Sequence, residues 1–284
     1  GMDIEKYNLP HVDNYIGDDY GESKEGLEDF LRSYYLESGA EFIEGLEIEK
    51  TPRDIEILTF LEQAIDDYLR RYGREPLSGI VMEKIHLMRP GGVKEFTNGQ
   101  IERGGYVSSS GTMLVDREES DVEFGLIALH ELTHLKGFNT LQSSMEGDHI
   151  VVRRGGFSIG SRDGSTLYFE DLNEAITELL TQRIFQERFA DSGLFTEADI
   201  AAQSQREQAR VEVREKFSVL VGDLYEKNKQ DFKSSSEIED LFIDAAVNGR
   251  LLPMARLIEK TYGKGSFRRI GVELGIEEGD EKND

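Results

Sequence analysis

Residues 130–134 read His-Glu-Leu-Thr-His: two imidazoles four positions apart, with a carboxylate beside the first. On a helix, positions i and i+4 share one face, so His130 and His134 can hold one zinc ion between them while Glu131 reaches a water to be activated. The chemistry this spells is metal-assisted hydrolysis. With 5 His among 284 residues, the pattern arises by accident in roughly one such chain in a hundred, so chance is a poor account of it. The plainer alternative makes His130 and His134 half-buried helix residues bonded to nearby carbonyls, with Glu131 on a solvated face.

A catalytic zinc needs a third protein ligand and an open position for water. Gly137 fits the longer pattern HExxHxxGxxH, but the position three beyond it is Thr140, which cannot serve as that ligand. The stretch from Asp171 to Glu178 is the better candidate. Leu172, Ile176, Leu179 and Leu180 make an apolar stripe at helical spacing, and Glu174 and Glu178, four apart, share a different face. One carboxylate can bind the metal while the other accepts the free N–H of a ligating histidine. Asp171 through Glu174 also fits a capping box with an acidic N-cap, a role hard to combine with ligation in one carboxylate. His149 could ligate if the hairpin after His134 folded over the metal. His11 and His86 stand outside any such grouping and read as surface and strand residues.

The two stretches together resemble the gluzincins, and most closely the thermolysin-like zinc peptidases, whose second motif has the form Asn-Glu-x-x-Ser-Asp. Here it is Asn173-Glu174-Ala175-Ile176-Thr177-Glu178, with Thr for Ser and Glu for Asp. Both changes keep the chemistry. The resemblance implies that His130, His134 and Glu174 bind Zn2+, that Glu131 is the general base, and that Glu178 buttresses a histidine. It covers the motif helices alone, about residues 120–185, and the gap of 40 positions from His134 to Glu174 is longer than in thermolysin-like enzymes, which implies a different gluzincin branch.

Amide hydrolysis also needs a donor for the oxyanion opposite the metal. Several gluzincins place a tyrosine shortly before the third ligand, and Tyr168 stands six positions before Glu174. Thr166-Leu167-Tyr168-Phe169 equally reads as a short strand in which Tyr168 packs. His149, Tyr225 and Tyr262 are the other candidates for this role.

The elements that must position these groups are legible around them. Ser120-Asp121-Val122-Glu123 is a capping box, and Lys136 and Gly137 supply a last-turn cation and a left-handed stop, so a helix is expected over 121–136. Its apolar residues surround nearly the whole circumference, which marks a central helix. Upstream, Leu27, Phe30, Leu31, Tyr34 and Tyr35 form one amphipathic helix. A second is capped at Thr51-Pro52 and stops at Gly73. Residues 79–88 read as a buried strand ended by Pro90-Gly91-Gly92, and further strands are expected near 101–109 and 112–116 about a Ser110-Gly111 turn. The strand near Gly104-Gly105-Tyr106-Val107-Ser108 is the expected edge, where two glycines would let another backbone approach. Residues 149–157 suggest a hairpin with Arg153 and Arg154 at a solvated turn, contact with a substrate carboxylate being the alternative for them. After residue 190 the pattern is helical, with starts at Thr196, Ser235-Ser236 and Leu251.

Composition bounds the remainder. A formal charge of −24 and a pI near 4.6 repel nucleic acid and anionic membranes, and the gluzincin resemblance implies a peptide or protein as the partner. Cys is absent, which excludes disulfides, thiol catalysis and thiolate zinc. No apolar run is long enough to enter a membrane. Residues 1–24 are acidic and aperiodic and read as a loosely packed extension. Gly1 ahead of Met2 reads as a residue left by cloning; if Met2 is the native start the protein is cytoplasmic, with secretion the alternative.

The expected fold class is α+β and zincin-like: a small mixed sheet with the active-site helix, followed by a mainly α-helical C-terminal subdomain forming the lower wall of a cleft. The expected regions are 1–50, an N-terminal extension with one helix; 51–190, the catalytic core; and 191–284, the helical subdomain. Two function classes fit, a zinc metallopeptidase and a zincin-fold binding or regulatory protein without turnover.

Overall fold

A computed structural model describes residues 12–17, 24–76, 79–143, 150–205 and 210–278. In chain order the elements are β1 (Asn14–Ile16), α1 (Lys24–Glu37), α2 (Pro52–Arg70), β2 (Ile85–Met88), α3 (Gly92–Phe96), β3 (Gly104–Val107), β4 (Thr112–Asp116) and α4 (Asp121–Lys136). They continue as β5 (Asn139–Ser143), β6 (Ile150–Gly155), β7 (Ser158–Gly160), β8 (Thr166–Tyr168), α5 (Glu170–Ile184), α6 (Glu197–Gln205), α7 (Val211–Lys227), α8 (Ser235–Asn248), α9 (Leu251–Tyr262), α10 (Ser266–Glu273) and β9 (Ile276–Glu278). The class is mixed α+β. Among the described residues no helix is long and apolar enough to cross a membrane.

The described chain separates into two compact units, one drawn from positions 24–136 and 181–205, the other from 12–17, 137–180 and 210–278. The division falls within α5.

In the first unit, β2, β4 and β3 form a sheet in that order, β2 parallel and β3 antiparallel to β4. Thr51 caps α2 as expected: its hydroxyl accepts from the Asp54 amide at 3.1 Å and the Asp54 carboxylate from the Thr51 amide at 2.9 Å, with Pro52 in the first turn. Gly73 takes the left-handed φ of 78° that stops it. Ile57, Leu58, Leu61 and Ile65 of α2 are buried, as are Val122, Phe124, Ala128 and Leu129 of α4. Of the 16 residues of α4, 13 are buried, which makes it the central helix its apolar girth demands.

Three polar devices fix α4 against α2. The Arg117 guanidinium lies 4.3 Å over the Phe124 ring, donates to Asp54 at 2.8 Å and pairs with Asp121, so the two helix N-termini share one cation. Burial alone would raise the Asp54 carboxyl, but the Thr51 amide and Arg117 outweigh it and hold Asp54 below the usual carboxylate range. At the other end Lys136 is buried, its ammonium 3.0 Å from Asp66 and 3.2 Å from Glu62. It serves as a tether to α2 in addition to complementing the helix dipole. Gly137 does not adopt the expected left-handed conformation. The Arg74 guanidinium donates to the Lys136 carbonyl at 3.0 Å, satisfying a helix-end acceptor by a side chain.

The strand expected over 79–88 begins only at Ile85, because residues 82–84 make a tight helical turn that buries Lys84. The Lys84 ammonium donates to the carbonyls of Tyr35 and Ser110. His86 is a strand residue as expected, buried in β2 between the Glu47 carboxylate and the Gly39 carbonyl. His11 lies outside the described residues.

In the second unit a six-stranded sheet runs β1-β5-β6-β7-β8-β9, parallel at β1–β5 and antiparallel elsewhere. Two of these strands correct the sequence reading. Residues 14–16, expected in a loose extension, pair with Thr140, Leu141 and Gln142, and residues 276–278, expected in a helical tail, pair with β8. The hairpin expected at 149–157 is present as β6 and β7, with Gly156 at φ 61° in its two-residue turn. Its arginines are not simply solvated. Arg153 donates to the Gly160 carbonyl and to Gln142, while Arg154 lies over the Phe138 ring, and burial pushes its pKa down to about 10. Phe157, Phe169, Phe242 and Phe267 pack edge-on and tilted around the helices of this unit.

Candidate metal centre

His130 and His134 stand in the last two turns of α4, 6% and 8% exposed. Their Nε2 atoms face each other at 3.2 Å, with the ring planes 74° apart. Two nitrogens bound to one tetrahedral zinc at 2.0–2.1 Å would be separated by about 3.3 Å, so the spacing already matches one edge of a zinc coordination sphere. Glu174 of α5 completes the group: the ligand atoms offered by His130, His134 and Glu174 all lie within 4.8 Å of one another. Two neutral imidazoles and one carboxylate are a donor set that zinc accepts. These three residues could hold a metal ion.

The competing role for Glu174 falls away. The helix starts at Glu170, so Asp171 already lies within its first turn and is no N-cap for Glu174. Asn173, beside it, serves the fold. Its side-chain oxygen accepts from the Phe157 amide at 2.9 Å, seating the β6–β7 turn on α5. The Glu174 carboxylate is 3.1 Å from the Arg210 guanidinium, with side chains 18% and 41% exposed. Glu178, one turn further along, is buried.

Glu131 is 4% exposed. The edge strand β3 lies against it: a Cβ added at Gly104 would sit 2.7 Å from Ile127 Cγ2, 3.3 Å from Glu131 Cγ and 3.4 Å from Glu131 Oε1. The close approach that the Gly104-Gly105 pair permits is therefore, at Gly104, an approach to the helix bearing the histidines. Two residues on, the Tyr106 ring stacks on His134 with centroids 4.2 Å apart and planes 14° apart. Sequence reasoning missed both contacts. The alternation of Gly104 and Tyr106 on one strand face is the signal that could have suggested them.

Tyr168 ends β8, half-buried and paired through its backbone register with Ile159 and Ile276, so the strand reading of 166–168 holds. Two of the other oxyanion candidates are engaged elsewhere. The Tyr225 hydroxyl donates to the Lys233 carbonyl at 3.2 Å, and the Tyr262 hydroxyl donates to Asp223. Burial, reinforced by Asp223, pushes the Tyr262 phenol up. His149 lies outside the described residues.

Comparison with protein-family models, with curated proteins and with solved structures found no match to this chain.

Proposed function

We propose that this chain is a zinc-dependent peptidase of the gluzincin kind, with a zincin-like catalytic part. The observation that carries the reading is the pair of Nε2 atoms 3.2 Å apart on α4, joined by the Glu174 carboxylate, with Glu131 buried beside them. His130, His134 and Glu174 would hold the ion. A zinc ion there supplies Lewis-acid polarisation of the scissile carbonyl and makes water a usable nucleophile near neutral pH. Glu131 accepts the proton that the attacking water loses and returns it to the amine nitrogen as the C–N bond breaks, so one carboxylate serves as base and then as acid.

The remaining roles are proposed from the gluzincin resemblance. β3 is the last strand of its sheet among the described residues, and an extended peptide bound along it would draw affinity from its main chain and selectivity from its alternate side chains. Tyr168 is the proposed oxyanion donor. Tyr168→Phe should then lower kcat about 10–100-fold with zinc content unchanged, and an unaltered rate would leave Tyr168 as a packing residue of β8. Glu178 is the proposed buttress of a ligating histidine. Glu178→Ala should weaken zinc binding about 10–100-fold in a chelator competition, and wild-type affinity would assign its buried carboxylate to the fold alone.

One observation favours the second reading, a zincin-fold binding protein without turnover: the ion pair in which Arg210 engages Glu174. Its magnitude argues against it. A surface pair with its arginine largely exposed is worth about 0–1 kcal/mol, less than an ion held by three protein ligands at once would contribute. A metal would therefore win the carboxylate. The experiment that separates the readings is a peptide-library digest by the zinc-loaded protein, read by mass spectrometry, with Glu131→Gln as control. Cleavage products that vanish in the control support the peptidase. Zinc binding without any cleavage supports the silent module.

A further inference from the structure

We propose that Tyr106 is a positioning residue for the metal site, setting the ring plane of His134 by stacking, with Gly104 as the spacer that lets β3 lie close enough for it to do so. This role rests on the proposed metal reading but concerns geometry present without the ion.

Residues 104 and 106 of β3 project to the same strand face. On α4, Ile127, Glu131 and His134 are spaced i, i+4, i+7 and form one stripe. The contacts join these two rows in order: Gly104 against Ile127 and Glu131, then Tyr106 against His134. A Cβ at 104 would meet Ile127 Cγ2 at 2.7 Å, so the Ile127 side chain or the strand itself would have to shift. The spacing of the pair is thus built into the strand.

Stacking matters to a ligand because of the freedom it removes. His134 lies in the last turn of α4, and its imidazole can turn about the Cβ–Cγ bond. A flat partner with centroids 4.2 Å away and planes only 14° apart leaves no room for that turn. The orientation so fixed is the one in which His134 Nε2 faces His130 Nε2 at 3.2 Å. Metal-ligating histidines are more commonly oriented by a hydrogen bond to the second ring nitrogen. The Tyr106 face restrains the plane independently of any such bond, and the ring is held before the ion arrives.

The test compares Tyr106→Phe, Tyr106→Leu and Val107→Ala. Val107 points to the opposite strand face and is 44% exposed, so its truncation perturbs β3 without touching His134. Zinc affinity is measured by chelator competition, unfolding free energy by denaturant titration, and the His134 ring by its imidazole NMR signals in the metal-free protein. Tyr106→Phe keeps the ring and should hold zinc within about 2-fold of wild type, with the ring-current shift of His134 preserved. Tyr106→Leu should lose that shift and bind zinc about 10-fold more weakly. Val107→Ala should leave both unchanged whatever it does to stability. Wild-type zinc affinity and unchanged His134 signals in Tyr106→Leu would overturn the proposal, as would a Phe variant as weak as Leu. A wild-type protein that binds no zinc would end the peptidase reading, and the metal-free His134 signals would still decide the stacking role.

Discussion

Glu131→Gln should abolish most hydrolysis while leaving the fold and the bound zinc in place. The carboxylate is 4% exposed and stands beside His130, so a glutamine of nearly the same shape preserves its packing against Gly104. What it cannot do is take a proton from the attacking water and pass it on to the leaving amine. Removing a positioned acid–base group costs about 10²–10⁴-fold, and because the proposed mechanism gives Glu131 both transfers the loss should reach at least the lower end of that range. Zinc content should stay at the wild-type value, since Glu131 is not one of the three residues gathered as ligands. The measurement is initial rate on a cleaved library peptide together with elemental analysis of the same samples. Undiminished cleavage would mean that another group is the base, or that the activity belongs to a contaminating protease.

The site is legible in the sequence where one helix suffices to define it. His130, Glu131 and His134 follow from the helical repeat, and the burial of α4 follows from apolar residues around its whole girth. Glu174 is legible as a candidate because its helix also carries an apolar stripe. What stays hidden are contacts between elements distant in sequence: Tyr106 on His134, Gly104 on Glu131 and Lys136 against Asp66 and Glu62. Periodicity tells which face of an element is buried, not which element covers it. The fold shows the same division. The capping of α2 and the β6–β7 hairpin carry local signatures. The parallel pairing of Asn14-Tyr15-Ile16 with β5 and the return of β9 to β8 do not, because short polar strands acquire their pairing from the sheet they join. Arg154 reads as a solvated turn cation because its type is usually exposed; in the structure it is half-buried, its guanidinium over the Phe138 ring and donating to the Gly156 carbonyl.

His130→Ala should all but eliminate tight zinc binding, and the reason lies in the count of donors. The wild-type protein should hold one zinc per chain after reconstitution, through two nitrogens and one carboxylate. Deleting His130 leaves His134 and Glu174, and with no cysteine anywhere in the chain there is no thiolate to compensate. The loss should exceed the roughly 10–100-fold that follows from removing an outer-shell partner such as Glu178. Glu174→Ala should behave alike, and it carries a control within the same group. Arg210→Ala frees the Glu174 carboxylate of a guanidinium at 3.1 Å without deleting a donor, so it should bind zinc at least as tightly as wild type. Chelator competition across the three variants therefore predicts an order, with Arg210→Ala at or above wild type and both ligand deletions far below. If His130→Ala retained wild-type affinity, or if the intact protein took up no tightly held zinc, the three-residue site would be wrong, and with it the hydrolytic chemistry assigned to Glu131.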